Sequence, residues 1–340
     1  MSKEESTIIK GVAILMMLWY HLFDSIDNVN LCSNHLYLFG LPLANVLTRA
    51  CYPVPFFMIL SGYGLSYTYN HKVLDLKGQG KRIFKLYINY WWILLIFVSI
   101  GCFVKPEKYP GTVLDIISNI INWNSSYNAE TWFLFPYMLM SFSSFFIFKM
   151  MDKWGEKKVF IISFILSFGA MYLFHAYGMN FIYHYSIISQ PLSYLDLLLP
   201  FVLGALMNRY AEKKSLKISI LSKNHTLCVL SLICLIALHC SFDMMIFDSF
   251  YDLLFILIFI NLPLDNIGGR FLALMGKHSM PMWMIHTFFC YYLFHDFIYV
   301  FKYPIVIYAV LILISYLCSI VTTRIADKSW KFISIRFFNT

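Results

Sequence analysis

Two ionisable residues, Lys10 and His21, lie within or beside the first long apolar run of the sequence. On an α-helix this separation is within about 20° of three full turns, so both side chains lie on one face, about 16 Å apart along the axis. Histidine titrates near neutrality and can transfer protons, and ionisable groups inside membrane spans are functional candidates by default. Spacing alone favours a simpler interpretation, in which Lys10 anchors the helix end and His21 is a hydrogen-bonded packing residue.

The elements that must position these residues are membrane helices. Hydrophobic residues make up 60% of the 340 residues and charged residues 13%, so too little polar surface remains for a soluble globule. Apolar runs of about 20 residues, long enough to cross the hydrocarbon core, recur along the whole chain. The sequence therefore predicts an all-α, polytopic integral membrane protein with about ten transmembrane helices. The predicted spans are 8–26, 44–68, 86–104, 131–148, 159–177, 191–208, 225–242, 246–262, 280–299 and 304–323.

The distribution of the 26 lysines and arginines predicts the orientation. Nearly all lie in the N-terminus, in every second loop and in the C-terminus, whereas Lys105, Lys108 and Lys302 lie on the other side and Arg49 within or near the second span. Because short basic loops stay in the cytoplasm, both termini are predicted to be cytoplasmic. The net charge of +8 then reflects topology and attraction to lipid headgroups, and it does not indicate nucleic-acid binding.

The chain is predicted to form a single membrane domain over residues 1–340, because no linker or internal repeat divides it. Residues 324–340, in which basic and aromatic residues alternate, are predicted to form an interfacial tail on the cytoplasmic face. The eight cysteines show no CxxC spacing, and no metal-binding motif is present, so no metal is expected. Any active site must therefore be built from helix faces and short loops.

Four separated motifs stand out along the chain. They are Lys10 through Ile14 with His21, Pro55 through Tyr63 followed by the basic residues Arg82 and Lys85, Thr131 through Leu134, and Leu274 through His286. Together these motifs resemble those of the membrane-bound acyltransferase 3 family. The chain departs from the family pattern at Lys10 and Lys85, where the family usually has arginine. The motifs occur in the family's order across most of the chain, and the family's ten-helix core agrees with the predicted topology.

The resemblance implies an enzyme of the cell membrane that transfers an acyl group, most often acetyl, to an extracytoplasmic glycan or lipid-linked glycan. Its donor would be cytoplasmic acyl-coenzyme A, typically acetyl-coenzyme A. His21 is then the expected general base, with Lys10 as a partner on the same face. Lys81, Arg82 and Lys85 are the expected donor-binding residues, because ammonium and guanidinium groups match phosphates.

Four further residues are candidates with two interpretations each. Ser61 is either a small-residue helix contact, which is favoured, or part of the acyl path. His286, expected one to two turns from the cytoplasmic edge of the ninth span, either binds the donor or caps a polar network. Glu130 and Trp132 are expected at the external face, where Trp132 suits an interfacial anchor and acceptor binding is the secondary interpretation.

The donor and the expected acceptor lie on opposite sides of the membrane, so an acyl relay or a deep shared cavity is required. His21 is expected where the acyl group meets the acceptor hydroxyl. The alternative from another class is a secondary transporter or flippase for an envelope glycan or a small solute, because intramembrane His and Lys residues also mark transport pathways. No half-to-half symmetry of the transporter kind is visible in the sequence.

Overall fold

The computed structural model describes residues 1–242 and 245–337, and these residues are predominantly α-helical. The α-helices in this part of the chain are, in order, α1 Lys3–Phe23, α2 Ile26–Asn30, α3 Leu43–Val46, α4 Val54–His71, α5 Leu76–Val104, α6 Val113–Ile120, α7 Leu134–Trp154, α8 Glu156–Tyr177, α9 Ser186–Asp196, α10 Leu198–Ala211, α11 Ser219–Lys223, α12 His225–Ser241, α13 Asp248–Phe259, α14 Ile267–Thr287, α15 His295–Tyr299 and α16 Pro304–Phe337. Two short strands, β1 Tyr37–Leu38 and β2 Leu41–Pro42, pair antiparallel with Tyr37 opposite Pro42.

Seven helical segments of the described chain are long and apolar enough to cross a membrane. They are Lys3–Phe23, Leu43–His71, Leu76–Val104, Ala129–Trp154, Glu156–Tyr177, Ser186–Ala211 and Pro304–Arg336. These segments coincide with the first six predicted spans and the last one, so the predicted helical membrane fold is confirmed. The other three predicted spans fall on α12, on α13, and on α14 with the residues after it, and the count of ten and the sides of the termini stay predictions.

The ninth predicted span differs from the structure in position. The predicted window of 280–299 starts in the middle of α14, which begins at Ile267 and ends at Thr287. The helix contains Arg270 near its start and Lys277 at its centre, and these charges lower the local hydropathy and shift a hydropathy window towards the C-terminus. A π-helix, Phe288–Tyr292, follows directly.

The predicted tail at residues 324–340 continues the last helix instead of forming a separate one. Helix α16 runs unbroken over 34 residues, because no glycine or second proline interrupts it after Pro304. Its C-terminal part packs against α5, where the Trp92 indole donates to Ser329 Oγ at 2.9 Å. The last three residues of the predicted tail, 338–340, lie outside the described residues.

The chain divides into two compact units, and the first comprises Met1–Ala13, Arg49–Leu76 and Phe135–Gly276. Its core includes the close packing of α4 on α10. A Cβ at Gly62 would collide with the carbonyl oxygen of Phe201, and one at Gly204 with that of Ile59. The two backbones therefore approach through reciprocal glycines, as is common between membrane helices.

The second unit comprises Ile14–Thr48, Lys77–Leu134 and Lys277–Thr340. It contains the connection between α5 and α7, which folds back along α5. The Tyr87 hydroxyl donates to the Ile121 carbonyl at 3.0 Å, and the Tyr90 hydroxyl donates to the Asn119 carbonyl at 2.9 Å. As a result, the end of α6 lies within two turns of Lys85 on α5.

The returning segment is stabilised at both of its ends. Helix α6 starts with a capping box between Thr112 and Asp115, and its last turn presents the Asn119 amide, whose oxygen accepts from the Tyr127 backbone N–H at 3.0 Å. In the capping box, the Thr112 side chain and backbone N–H donate hydrogen bonds to the exposed Asp115 carboxylate, and these hydrogen bonds lower its pKa. The chain then leads directly into the turn that carries Glu130.

Candidate active site

His21 lies in the second unit, at the third residue from the end of α1, and only 9% of its surface is exposed. Its Nε2 is 3.7 Å from Glu130 Oε2, and its Nδ1 is 3.4 Å from the Tyr291 hydroxyl. A carboxylate on one ring nitrogen and a hydroxyl on the other is the arrangement in which histidine acts as an oriented base. Both separations are longer than strong hydrogen bonds, which leaves room for rearrangement when a substrate binds.

Glu130 is positioned by a 3₁₀ turn, Ala129–Phe133, that precedes α7. The Trp283 indole donates to the Glu130 carbonyl at 3.0 Å, and the Ala129 N–H donates to the Tyr292 hydroxyl at 3.0 Å. The Glu130 side chain is itself 25% exposed, so the carboxylate stays accessible while its backbone is fixed.

His286 lies beside His21, with ring centroids 5.0 Å apart. It is the second residue from the end of α14, far from the start of that helix, so the expected position near the beginning of the ninth span is corrected. It is fully buried, and its Nδ1 is 2.7 Å from the Trp283 carbonyl. The structure thus brings His21, Glu130 and His286 together in one unit.

The neighbouring backbone is held by an amide and hydroxyl network. The Asn128 amide nitrogen donates to the Met284 carbonyl at 2.9 Å, and Thr287 Oγ1 donates to Asn128 Oδ1 at 2.8 Å. All three of these groups are buried, so the contact ties the Glu130 turn to the end of α14.

The three predicted donor-binding residues lie near the start of α5, in the same unit. Lys85 forms an ion pair with Asp327 of α16 at 2.9 Å, and both side chains are about half exposed. Arg82 is exposed and Lys81 is half-buried.

A chain of hydrogen bonds connects this part of α5 with the Glu130 turn. Tyr90 follows Lys85 by five residues on α5, which is about 7.5 Å along the helix axis, and its hydroxyl accepts a hydrogen bond from the Asn122 amide at 3.1 Å. Asn122 also donates to Thr131 Oγ1, next to Glu130, at 3.1 Å.

Two candidates belong to the first unit. Lys10 lies in the half of α1 that is part of that unit, and no hydrogen bond or ion pair involves it within the described residues. Ser61 lies in α4 beside the close-packed Gly62, and its buried Oγ has no hydrogen-bond partner in the described chain. The structure does not group these two residues with His21 in one unit.

Trp132, the remaining candidate, is half-buried and packs edge-on against Phe133, with ring centroids 6.1 Å apart. Phe133 in turn packs edge-on against Trp283, with ring centroids 5.5 Å apart. Trp132 therefore belongs to the aromatic packing behind the Glu130 turn.

Sequence reasoning missed Tyr291, Asn128, Thr287 and Lys108. Lys108 lies 4.1 Å above the Tyr292 ring, whose hydroxyl accepts from Ala129, and burial beside Lys105 lowers the pKa of its ammonium group. Tyr291 follows His286 by five residues, but it lies in the π-helix Phe288–Tyr292, so α-helical spacing gave no signal for it.

Within residues 1–242 and 245–337, no three His, Cys, Asp or Glu side chains cluster as metal ligands would.

These features define a helical membrane protein with a buried histidine and carboxylate site. Comparison with protein-family models places the chain more narrowly: residues 4–324 match the acyltransferase 3 family, described as an acyltransferase domain. The chain therefore belongs to this family, and the resemblance seen in its motifs is confirmed. Comparisons with curated proteins and with solved structures gave no significant match.

Proposed function

We propose that this acyltransferase moves an acyl group, most often acetyl, from cytoplasmic acyl-coenzyme A to a hydroxyl of an envelope glycan or lipid-linked glycan at the cell membrane. The observation that carries the proposal is the placement of His21 between the Glu130 carboxylate and the Tyr291 hydroxyl. The family membership supplies the reaction class.

In this mechanism His21 takes the proton of the acceptor hydroxyl. The Glu130 carboxylate favours the N–H on Nε2, so the lone pair lies on Nδ1, on the side of the Tyr291 hydroxyl. An acceptor hydroxyl that replaces Tyr291 there loses its proton to Nδ1 as its oxygen attacks the carbonyl carbon of the acyl group. Glu130 stabilises the imidazolium that forms.

Lys81, Arg82 and Lys85 would hold the phosphates of the donor. The fold supports this role because the segment that carries Glu130 returns along α5 to within two turns of Lys85. A flexible thioester arm that starts at these cations can then extend towards His21. Lys85 must exchange Asp327 for phosphate, and an exposed ion pair of this kind is weak enough to allow it.

The test uses purified protein in lipid nanodiscs with radiolabelled acetyl-coenzyme A and envelope glycans stripped of their O-acyl groups. We expect label in the glycan, and we expect the R82Q/K85Q double variant to raise the KM for acetyl-coenzyme A. The matched control is K157Q/K158Q, which removes two exposed charges from the first unit. Glycan transport without label transfer would support the transporter alternative and overturn the enzyme proposal.

A further inference from the structure

The two nitrogens of the His286 imidazole differ in their hydrogen bonds: within the described chain, Nδ1 has a partner and Nε2 has none. Its Nδ1 lies 2.7 Å from the Trp283 carbonyl and 3.2 Å from the Met282 carbonyl. Carbonyl oxygens only accept hydrogen bonds, so Nδ1 carries the hydrogen and Nε2 of the neutral ring carries a lone pair. This Nε2 is buried and has no hydrogen-bond partner within the described chain.

A buried acceptor without a partner costs about 1 to 3 kcal/mol, so a specific cause for it is expected. The backbone on both sides of His286 is fixed by buried hydrogen bonds. Thr287, the next residue, donates to Asn128, which also donates to the Met284 carbonyl. The π-helix Phe288–Tyr292 starts immediately afterwards, and π-helical turns are frequent at functional sites.

The chemistry of the bare nitrogen limits its roles. A lone pair cannot stabilise an oxyanion or bind a phosphate, because both tasks require a hydrogen-bond donor. It can accept a hydrogen bond, accept a proton or attack a carbonyl carbon. The reaction needs one base for the acceptor hydroxyl, and His21, whose partner is the Glu130 carboxylate, already fills that role. Nε2 of His286 is therefore available as a nucleophile, with its Nδ1–H held on the Trp283 carbonyl.

We propose that His286 carries the acyl group covalently on Nε2 during transfer, an inference that rests on the proposed function. Nε2 attacks the carbonyl carbon of the donor thioester, the carbon–sulfur bond breaks, and coenzyme A leaves as the thiolate. The acceptor oxygen then attacks the same carbon as His21 takes the hydroxyl proton, and the carbon–nitrogen bond breaks to restore neutral His286. The proton passes from His21 to solvent and protonates the thiolate.

The separation of the two rings suits this sequence. The two ring centroids are 5.0 Å apart, so an acyl group on His286 and a hydroxyl bound to His21 would be neighbours in one site. The two histidines then divide the reaction, because His286 serves the donor half and His21 the acceptor half.

The test is a half-reaction that needs no acceptor. Purified protein in nanodiscs is mixed with unlabelled acetyl-coenzyme A and radiolabelled coenzyme A, and label appearing in acetyl-coenzyme A is measured. The wild type and H21Q should exchange label, whereas H286Q should lose exchange by at least about 10²-fold. With acetyl-labelled donor, H21Q should also accumulate protein-bound label on the peptide that contains His286, released by hydroxylamine.

Glutamine at position 286 offers an oxygen that accepts hydrogen bonds but is a poor nucleophile, so H286Q separates the covalent role from an acceptor role. The control H278Q changes another α14 histidine, whose Nδ1 lies 2.9 Å from Ser319 Oγ, and it should exchange like the wild type. Elution and thermal unfolding of H286Q verify that it folds, and label trapping in H21Q tests the carrier without any change at His286.

Two outcomes would overturn the proposal that His286 carries the acyl group, while leaving the proposed function intact. One is glycan acylation by the wild type without coenzyme A exchange and without protein-bound label, and the other is normal exchange by H286Q. A wild type that neither acylates glycan nor exchanges label overturns the proposed function itself.

Discussion

Each of the two units contains a buried histidine that faces a carboxylate, and the two pairs differ in how tightly they are held. In the first unit His239 Nε2 is 3.0 Å from Asp248 Oδ1, and its ring stacks on Tyr251 with centroids 4.1 Å apart. In the second unit His21 is 3.7 Å from Glu130 and 3.4 Å from Tyr291. Both histidines are 9% exposed, so burial does not distinguish them.

The difference lies in what each ring can still do. The His239 ring is fixed on one side by a short hydrogen bond and on its face by an aromatic ring, as expected of a pair that stabilises the fold. The His21 contacts are long, and a second histidine with a bare nitrogen lies beside it. A loosely held pair next to an unsatisfied polar atom is the better candidate for catalysis.

The largest expected effect separates the two histidines directly. H21A should lower the rate of acyl transfer by about 10² to 10⁴-fold, because general-base catalysis contributes that much. H239A should keep the rate per folded molecule. The measurement is label transfer to glycan, normalised to the folded fraction from size-exclusion chromatography, and equal activity losses in both variants would contradict the comparison.

The next effect tests the carboxylate. E130Q should lower the rate of transfer by about 10²-fold, because the neutral amide neither orients the His21 ring nor stabilises its imidazolium. Apparent affinity for acetyl-coenzyme A should stay unchanged, which initial rates over a range of donor concentrations will show. E4Q, at an exposed position near the start of α1, serves as the charge control. A wild-type rate in E130Q would remove Glu130 from the mechanism.

The tighter pair should matter for stability instead. D248A leaves the His239 ring without its short hydrogen bond in a buried place, and breaking such a pair costs on the order of 3 kcal/mol. We expect a fall of several degrees in the Tm of the detergent-solubilised protein, with transfer by the folded fraction unchanged. E130A, at a more exposed carboxylate, should shift the Tm less, and the reverse order of the two shifts would speak against this assignment.

The smallest effect concerns Tyr291. If its hydroxyl occupies the place of the acceptor hydroxyl on His21 Nδ1, Y291F should lower the KM for the glycan by about fivefold, since one neutral hydrogen bond contributes about 1 kcal/mol. The kcat should change little. A large loss of kcat in Y291F would show instead that the hydroxyl takes part in the reaction.

Much of the fold follows from composition and apolar run length, because a membrane span needs little more than about 20 apolar residues. The helix at the ninth predicted span, 280–299, begins earlier than the hydropathy window, at Ile267, because Arg270 and Lys277 lie inside α14 where such a window excludes them. The unbroken course of α16 was also missed. A change from apolar to basic composition does not end a helix when no glycine, proline or cap is present.

The candidate site was predictable only in part. His21 was identified by its position inside an apolar helix, His286 by a motif that resembles a family, and Glu130 only as a residue at the start of the fourth span, before the motif that begins at Thr131. Glu130 reaches this site on the α5–α7 connection, which returns along α5 and is held there by tyrosine hydroxyls that donate to backbone carbonyls such as that of Asn119. Such tertiary contacts have no periodicity in the sequence, so neither the contact of His21 with Glu130 nor that of His239 with Asp248 could be predicted.

The uninterrupted α16 has a practical consequence for mapping membrane topology with reporter proteins. A fusion made directly after the last predicted span, at residue 323, would delete Asp327, Ser329 and Trp330, which contact Lys85, Trp92 and Phe84 of α5. The reporter would then be attached to a chain that has lost part of its own packing. Reporters inserted into the intact chain, with α16 preserved, would give the side of each loop without that distortion.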